Sequence, residues 1–290
     1  MSGYTSHPTV ARGPLLAAND LAGAVDAYFT AQPASRRWDV ETSFDWPAAD
    51  ANKLSAGEQS AVKLVTFVED HLPGYFALYN RQFPLNEDTD PATFAHNRQL
   101  YHFTLRWSFE EDQHARVLTR YQLASGLADE VTLRADLYEQ GRKQFTLPYD
   151  QPVQYFAYAL IQEKATQIFY SKLRAVTGDP LLADILNRLS RDEARHFAFF
   201  ADVTSRYLRE YGEAMADPIR EVIANFRMPL AETIKGYWRW ALQISEVAGD
   251  FDHTDAYDHL TKLIDRAADA RTDKFDELTR FIQQCRTIRP

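Results

Sequence analysis

"FEEDQHARVL" (residues 109–118) and "LSRDEARHFAF" (residues 189–199) decide how this chain is read. Each places a glutamate three residues before a histidine: Glu111 with His114, and Glu193 with His196. On an α-helix, positions three apart share a face, so each pair can hold one ion. Two further carboxylates stand out. Glu69 in "LVTFVEDHLPGYF" and Glu163 in "ALIQEKATQIFY" are charged residues set among apolar neighbours. A buried carboxylate is costly unless it is paired or bound to metal.

Two Glu-x-x-His pairs plus one glutamate from each of two other helices is the ligand arrangement of a di-iron carboxylate bundle. The spacing supports it. If Glu69 and Glu111 sit at one depth on antiparallel helices, the turn falls midway at Asp90, inside "NEDTDP". For Glu163 and Glu193 the midpoint is Gly178, inside "TGDP". The longer stretch from His114 to Glu163 holds an extra helix, as the single crossover of a ferritin-like bundle requires. The expected fold is therefore all-α, a ferritin-like bundle with flanking helices.

Four carboxylates and two imidazoles suit iron or manganese better than a thiolate-seeking metal. Two divalent ions also balance four carboxylates in charge, which favours binding in a desolvated core. A ligand histidine needs an acceptor on its other ring nitrogen. A pseudo-twofold site lets Asp192 orient His114 and Glu110 orient His196. Pro73, four residues after Glu69, removes that residue's helical partner and predicts a kink beside the site. Thr166 follows Glu163 by one turn, within reach of an oxygen species at the metals.

Composition narrows the remaining classes. The chain has 290 residues, is 45% hydrophobic, carries a formal charge of −9 and has 11 glycines. Nucleic acid is excluded as a general partner by that charge. An acidic partner needs a local basic patch. Cys285 is the single cysteine, so neither an internal disulfide nor a CxxC metal site is available. The start has no signal-peptide pattern and no uncharged run reaches the roughly 20 residues of a membrane span, so a cytoplasmic setting is expected. Residues 1–57 read as an extension with irregular segments and 58–290 as the helical domain, one domain in total. Helices are expected at about 58–82, 91–124, 128–145, 152–176 and 180–211, with two or three more towards the C-terminus.

At this point the sequence resembles the soluble acyl carrier protein desaturases. Their helix reading "EEALP" before a tyrosine is similar to "EDHLPGY" (69–75). Their Trp and "EENRH" are similar to Trp107 and "EEDQH" (110–114). "QERAT" corresponds to "QEKAT" (162–166), "DEKRH" to "DEARH" (192–196), and an "MP" to Met228 and Pro229. The resemblance runs from about Trp38 to Pro229. It implies that Glu69, Glu111, His114, Glu163, Glu193 and His196 ligate two irons, with Thr166 near the oxygen site. It also implies a hydrogen-bonded chain of Trp, Asp and ligand His, for which Trp38 fits better than Trp46. O₂ as co-substrate, electrons from a ferredoxin, an acyl chain on acyl carrier protein and a homodimer follow from the family. Related di-iron proteins fit less well. Leu118 stands where a ribonucleotide reductase carries its radical tyrosine, and a rubrerythrin adds a four-cysteine iron site that one cysteine cannot supply.

The family's Gly–Phe pair lining the acyl tunnel corresponds to Tyr155–Phe156, and Arg81 and Gln82 stand at a tunnel end that is less polar in plant enzymes. A tyrosine for a glycine fills volume and a charge repels a hydrocarbon, so a shorter or functionalised acyl group is expected. Hydroxylation of a carrier-bound substrate and non-catalytic iron binding are the alternatives. Arg36, Arg37, Arg227, Lys235 and Arg239 are candidate basic docking residues. Trp238 and Trp240 of "YWRWAL" are expected in the core or a dimer interface.

Overall fold

The computed structural model describes residues 12–32, 37–234, 240, 247, 251–267 and 272–287. Arg36, Lys235, Trp238 and Arg239 lie outside the described residues. Among the described residues there is no strand.

Helix α1 spans Ala18–Thr30. α2 (Ala56–Asp70) opens on a capping box, in which Ser55 and Glu58 satisfy each other's backbone N–H. It ends at His71, and α3 (Leu72–Gln82) begins with Pro73 in its first turn. The kink expected at Pro73 is thus a full break between two helices. Proline supplies no N–H to the Glu69 carbonyl, and Glu69 accepts instead from the His71 N–H. Gly74 belongs to the same device: a Cβ there would lie 2.5 Å from His71 Nε2.

α4 (Pro91–Ala124) starts under the Asp90 side chain, which accepts from Ala92 and Thr93. α5 (Glu130–Gly141) is the crossover helix, shorter than the 128–145 expected. α6 (Pro152–Val176) and α7 (Pro180–Tyr211) pack along each other and turn back at 177–179. Gly178 is needed in that turn because a Cβ would stand 2.7 Å from the Lys53 carbonyl oxygen. α8 (Ala216–Asn225) and the helix Tyr257–Ala267 pack on the α6–α7 pair, and the helix Asp273–Thr287 packs in turn on these two. Trp240 meets Phe67 edge-on at 6.3 Å, on the core side of α2.

The irregular reading of the N-terminal region is corrected over Ala18–Thr30. Leu21, Ala24, Val25 and Tyr28 are buried at helical spacing, and α1 packs on α4 and α7.

Asp179 anchors the bundle's turn end. Fully buried, it caps α7 through Leu181 and Leu182 and accepts from the Tyr121 hydroxyl and the Asp50 N–H, both at 2.9 Å. Asp179→Ala should cost about 3 kcal/mol, because a cap is lost and two buried donors are orphaned. Calorimetry should show a melting temperature lower by roughly 6 °C. A drop under 2 °C would contradict this role for the turn.

Two apolar clusters fill the bundle. One gathers Phe103, Trp107, Phe156, Ala165, Phe199 and Phe200; the other gathers Val117, Leu118, Tyr121, Tyr170, Leu173 and Leu189. On α4 and α7 the gap between them falls at residues 110–114 and at 192–196, and Glu163 of α6 lies near the end of the first cluster. That gap holds the acids.

Candidate metal centre

At this level Glu69, Glu111, His114, Glu163, Glu193 and His196 converge, each at most 6% exposed. They form two overlapping groups: Glu69, Glu111, His114 and Glu193, and Glu111, Glu163, Glu193 and His196. Within each group the candidate donor atoms lie within 4.8 Å of one another. Glu111 and Glu193 are common to both. His114 Nδ1 is 3.2 Å from Glu193 Oε1 and 3.5 Å from Glu111 Oε2. His196 Nδ1 is 3.0 Å from Glu111 Oε1 and 3.4 Å from Glu193 Oε2. The two imidazole centroids are 5.8 Å apart.

The outward ring nitrogens face carboxylates across the pseudo-twofold. His196 Nε2 is 3.1 Å from Glu110 Oε2, and His114 Nε2 is 3.5 Å from Asp192 Oδ2. Trp38 Nε1–H donates to the same Asp192 oxygen at 2.8 Å, and its indole stacks on His114 with centroids 6.2 Å apart. Trp46 instead donates to the Val40 carbonyl and takes no part. With Nε2 engaged, Nδ1 of each histidine points inward.

The donor set fits two cations on its own physical grounds. His114 Nδ1, His196 Nδ1, both oxygens of Glu163 and Glu193 Oε2 are buried and make no hydrogen bond. Native cores rarely leave polar atoms so. Burial, then the charge of Glu111, pushes Glu69 up to about 8. Burial, then Glu193, raises Glu163 well above the usual carboxylate range. Burial alone would lower His114, but Asp192, Glu111, Glu193 and Glu69 outweigh it and raise it well above the usual imidazole value. Four acids crowded in this way attract divalent cations, and the hard oxygen-rich set suits iron or manganese.

Several contacts were not legible in the sequence. Tyr28 of α1 donates to Glu110 Oε2 at 2.5 Å. Arg195 spans both orienting carboxylates, 2.9 Å from Glu110 Oε2 and 2.9 Å from Asp192 Oδ1. Burial would raise Glu110, yet His196, Arg195 and Tyr28 hold it at about 2. Tyr170 donates to Glu69 Oε1. Only Arg195 leaves a signal, as the i+3 partner of Asp192 within "DEARH".

Thr166 is buried one turn beyond Glu163. Thr66 and Thr104 return their hydroxyls to the carbonyl four residues back, at 2.7 and 3.0 Å. Thr166 makes no such bond among the described residues, so its hydroxyl keeps its donor.

A narrow cavity of about 30 Å³ opens on Glu69, Glu111 and Glu163, walled by Tyr75, Leu78, Tyr79, Trp107, Tyr155 and Tyr158 among others. Tyr155 lines it; Phe156, Arg81 and Gln82 do not. Phe156 is fully buried and stacks on Phe83 at 5.8 Å. Arg81 turns aside to donate to the Phe145 carbonyl. Gln82 is buried. Among the candidate docking residues, Arg37 and Arg227 are exposed. Among the described residues no helix is long and apolar enough to cross a membrane.

Comparison with known proteins follows the same line. Acyl-(acyl-carrier-protein) desaturase 6, chloroplastic, of Oryza sativa subsp. japonica is 26% identical over 208 residues, 67% of this chain and 49% of that protein. Palmitoyl-(acyl-carrier-protein) 4-desaturase, chloroplastic, of Coriandrum sativum is 29% identical over 162 residues, 54% of this chain and 39% of that protein. The chain spans about half the length, or less, of these curated relatives. The crystal structure of Mycobacterium tuberculosis DesA2, assigned as an acyl-ACP desaturase, superposes with a TM-score of 0.60 at 18% identity. It covers 90% of this chain and 98% of that one, and so shares the fold. The fatty acid desaturase family model matches residues 33–284, a span that contains all six converging side chains and both orienting carboxylates. This chain therefore belongs to the fatty acid desaturase family.

Proposed function

We propose that this chain is an O₂-dependent desaturase of a short acyl chain held as a thioester on acyl carrier protein. Two overlapping buried donor groups at one level of the bundle carry the reading. Glu69, Glu111, His114 and Glu193 would hold one iron, and Glu111, Glu163, Glu193 and His196 the other. When bound, the iron pair supplies O₂ activation and the two-electron oxidation that removes neighbouring hydrogens from the acyl chain. Electrons come from outside, from a ferredoxin-type donor, and the working unit is a homodimer.

The protein's own part is positional. Asp192 and Glu110 keep the Nε2 protons of His114 and His196 on the outer side, which fixes each ring and its inward lone pair. Thr166 offers a hydroxyl proton one turn from Glu163. Tyr75, Tyr79, Trp107 and Tyr158 wall the cavity and exclude bulk water. Tyr155 closes it: its ring is 2% exposed and its hydroxyl is tied to the Tyr149 carbonyl at 2.5 Å. A chain entering past the carboxylates stops there, which supports a short acyl substrate.

The test is intact mass spectrometry of a panel of acylated carrier proteins incubated with iron-loaded protein, reduced ferredoxin and O₂. Loss of two hydrogens from a short-chain member is expected. Gain of an oxygen would assign the chain to hydroxylation instead. Best turnover on a long stearoyl-type chain would refute the short-substrate reading.

A further inference from the structure

We infer that Tyr28 is a positioning residue for one half of the metal centre, the half built on His196, and has no comparable effect on the half built on His114. The inference rests on the metal-binding reading above and adds to it a residue from outside the four-helix core. The orienting carboxylates have different neighbours. Asp192 Oδ2 takes the Trp38 indole N–H and faces His114. Glu110 Oε2 takes the Tyr28 hydroxyl at 2.5 Å and faces His196 Nε2 at 3.1 Å.

Glu110 is also under a stronger cationic pull than Asp192, which meets Arg195 at 2.9 Å but not Arg106. Arg106 Nε holds its Oε1 at 2.7 Å, and Arg195 reaches Oε1 at 3.4 Å and Oε2 at 2.9 Å. Two guanidiniums on the outer side favour a carboxylate turned towards them, since charge-assisted paired bonds are the stronger ones. The Tyr28 hydroxyl is the neutral donor that holds Oε2 in place against this pull. The tyrosine is itself well fixed. Its ring is 5% exposed and packs against Phe103 at 4.9 Å and Phe199 at 5.8 Å, with the Arg195 guanidinium 5.7 Å from its centroid. Without the hydroxyl, Glu110 swings onto Arg106 and Arg195 and leaves His196 Nε2 without its acceptor. Lost partners of a ligand histidine weaken metal affinity about 10–100-fold, and one removed by a further bond belongs at the lower end.

The test crosses Tyr28→Phe with two backgrounds and reads Co²⁺ affinity, not turnover. His114→Ala leaves the His196 half, and His196→Ala leaves the His114 half. Tyr28→Phe should weaken Co²⁺ binding about tenfold in the first background and less than about twofold in the second. Equal weakening in both would make Tyr28 a packing residue only, and no change or tighter binding would also overturn the inference. A second measurement keeps all six ligands. In zinc-loaded protein, Tyr28→Phe should speed solvent exchange of the His196 Nε2 proton by NMR and leave that of His114 unchanged; an unchanged His196 proton overturns the inference. If the unsubstituted chain binds no Co²⁺, the metal-centre reading itself fails.

Discussion

Glu163→Gln should weaken metal binding about 100-fold or more while making the metal-free protein more stable. The two effects have one origin. Glu163 is fully buried with neither oxygen hydrogen-bonded, and burial and the Glu193 charge raise its pKa well above the usual value. Its folded pKa exceeds its unfolded one, so its contribution to stability is present below the unfolded value, about 4.5, and is lost as pH rises through the folded one. Glu69, at about 8, behaves in the same direction. The metal-free protein should therefore lose stability steadily from pH 5 to pH 8. A neutral amide of the same shape removes part of that slope. Replacing buried charged groups by neutral ones of similar volume is worth roughly 1–4 kcal/mol, or several degrees in melting temperature at pH 8. With iron the sign reverses, because the ion stabilises only the form that binds it. Iron affinity should fall about 100-fold or more, since partners one bond further out already cost 10–100-fold. A structural cluster without metal would show neither the reversal nor the loss. Melting curves with and without Fe²⁺ under anaerobic conditions decide between them.

Tyr155→Ala should lengthen the acyl chain the protein accepts. Tyr155 lines a cavity of about 30 Å³ and meets Phe83 edge-on at 5.9 Å. Removing the ring opens space in line with the carboxylates. Each newly buried methylene is worth about 0.8 kcal/mol, so a chain two carbons longer should gain roughly tenfold in kcat/KM. The substitution also removes a buried aromatic, at a stability cost of about 3–5 kcal/mol. Tyr155→Phe is the control, because it breaks the bond to Tyr149 but keeps the ring. Its chain-length profile should match that of the unsubstituted protein. If Tyr155→Ala also leaves the profile unchanged, the acyl chain runs elsewhere.

What could be read from the sequence, and what could not, divides by the range of the interaction. Glu111 with His114 and Glu193 with His196 are local, three residues apart on a helix, and charged residues inside apolar runs are conspicuous. The antiparallel turns at Asp90 and Gly178 then follow from equal depth, and the helices do turn at 84–90 and 177–179. The crossed pairing of Asp192 with His114 and Glu110 with His196 was legible because the site has near-twofold symmetry. Tyr28 was not, since its bond to Glu110 joins residues 82 apart in the chain. The break at His71 was underestimated because proline in a first turn starts a helix as readily as it kinks one. Arg81, Gln82 and Phe156 match tunnel positions of the family by their place in the sequence, yet do not line the cavity. The direction of a side chain off its helix depends on packing that no spacing rule encodes.

Anomalous diffraction from crystals soaked in Fe²⁺ without oxygen tests the central claim most directly. Two iron peaks per chain are expected, both bounded by Glu111 and Glu193, one beside His114 and Glu69, the other beside His196 and Glu163. A single peak elsewhere, or none at this level of the bundle, would contradict it.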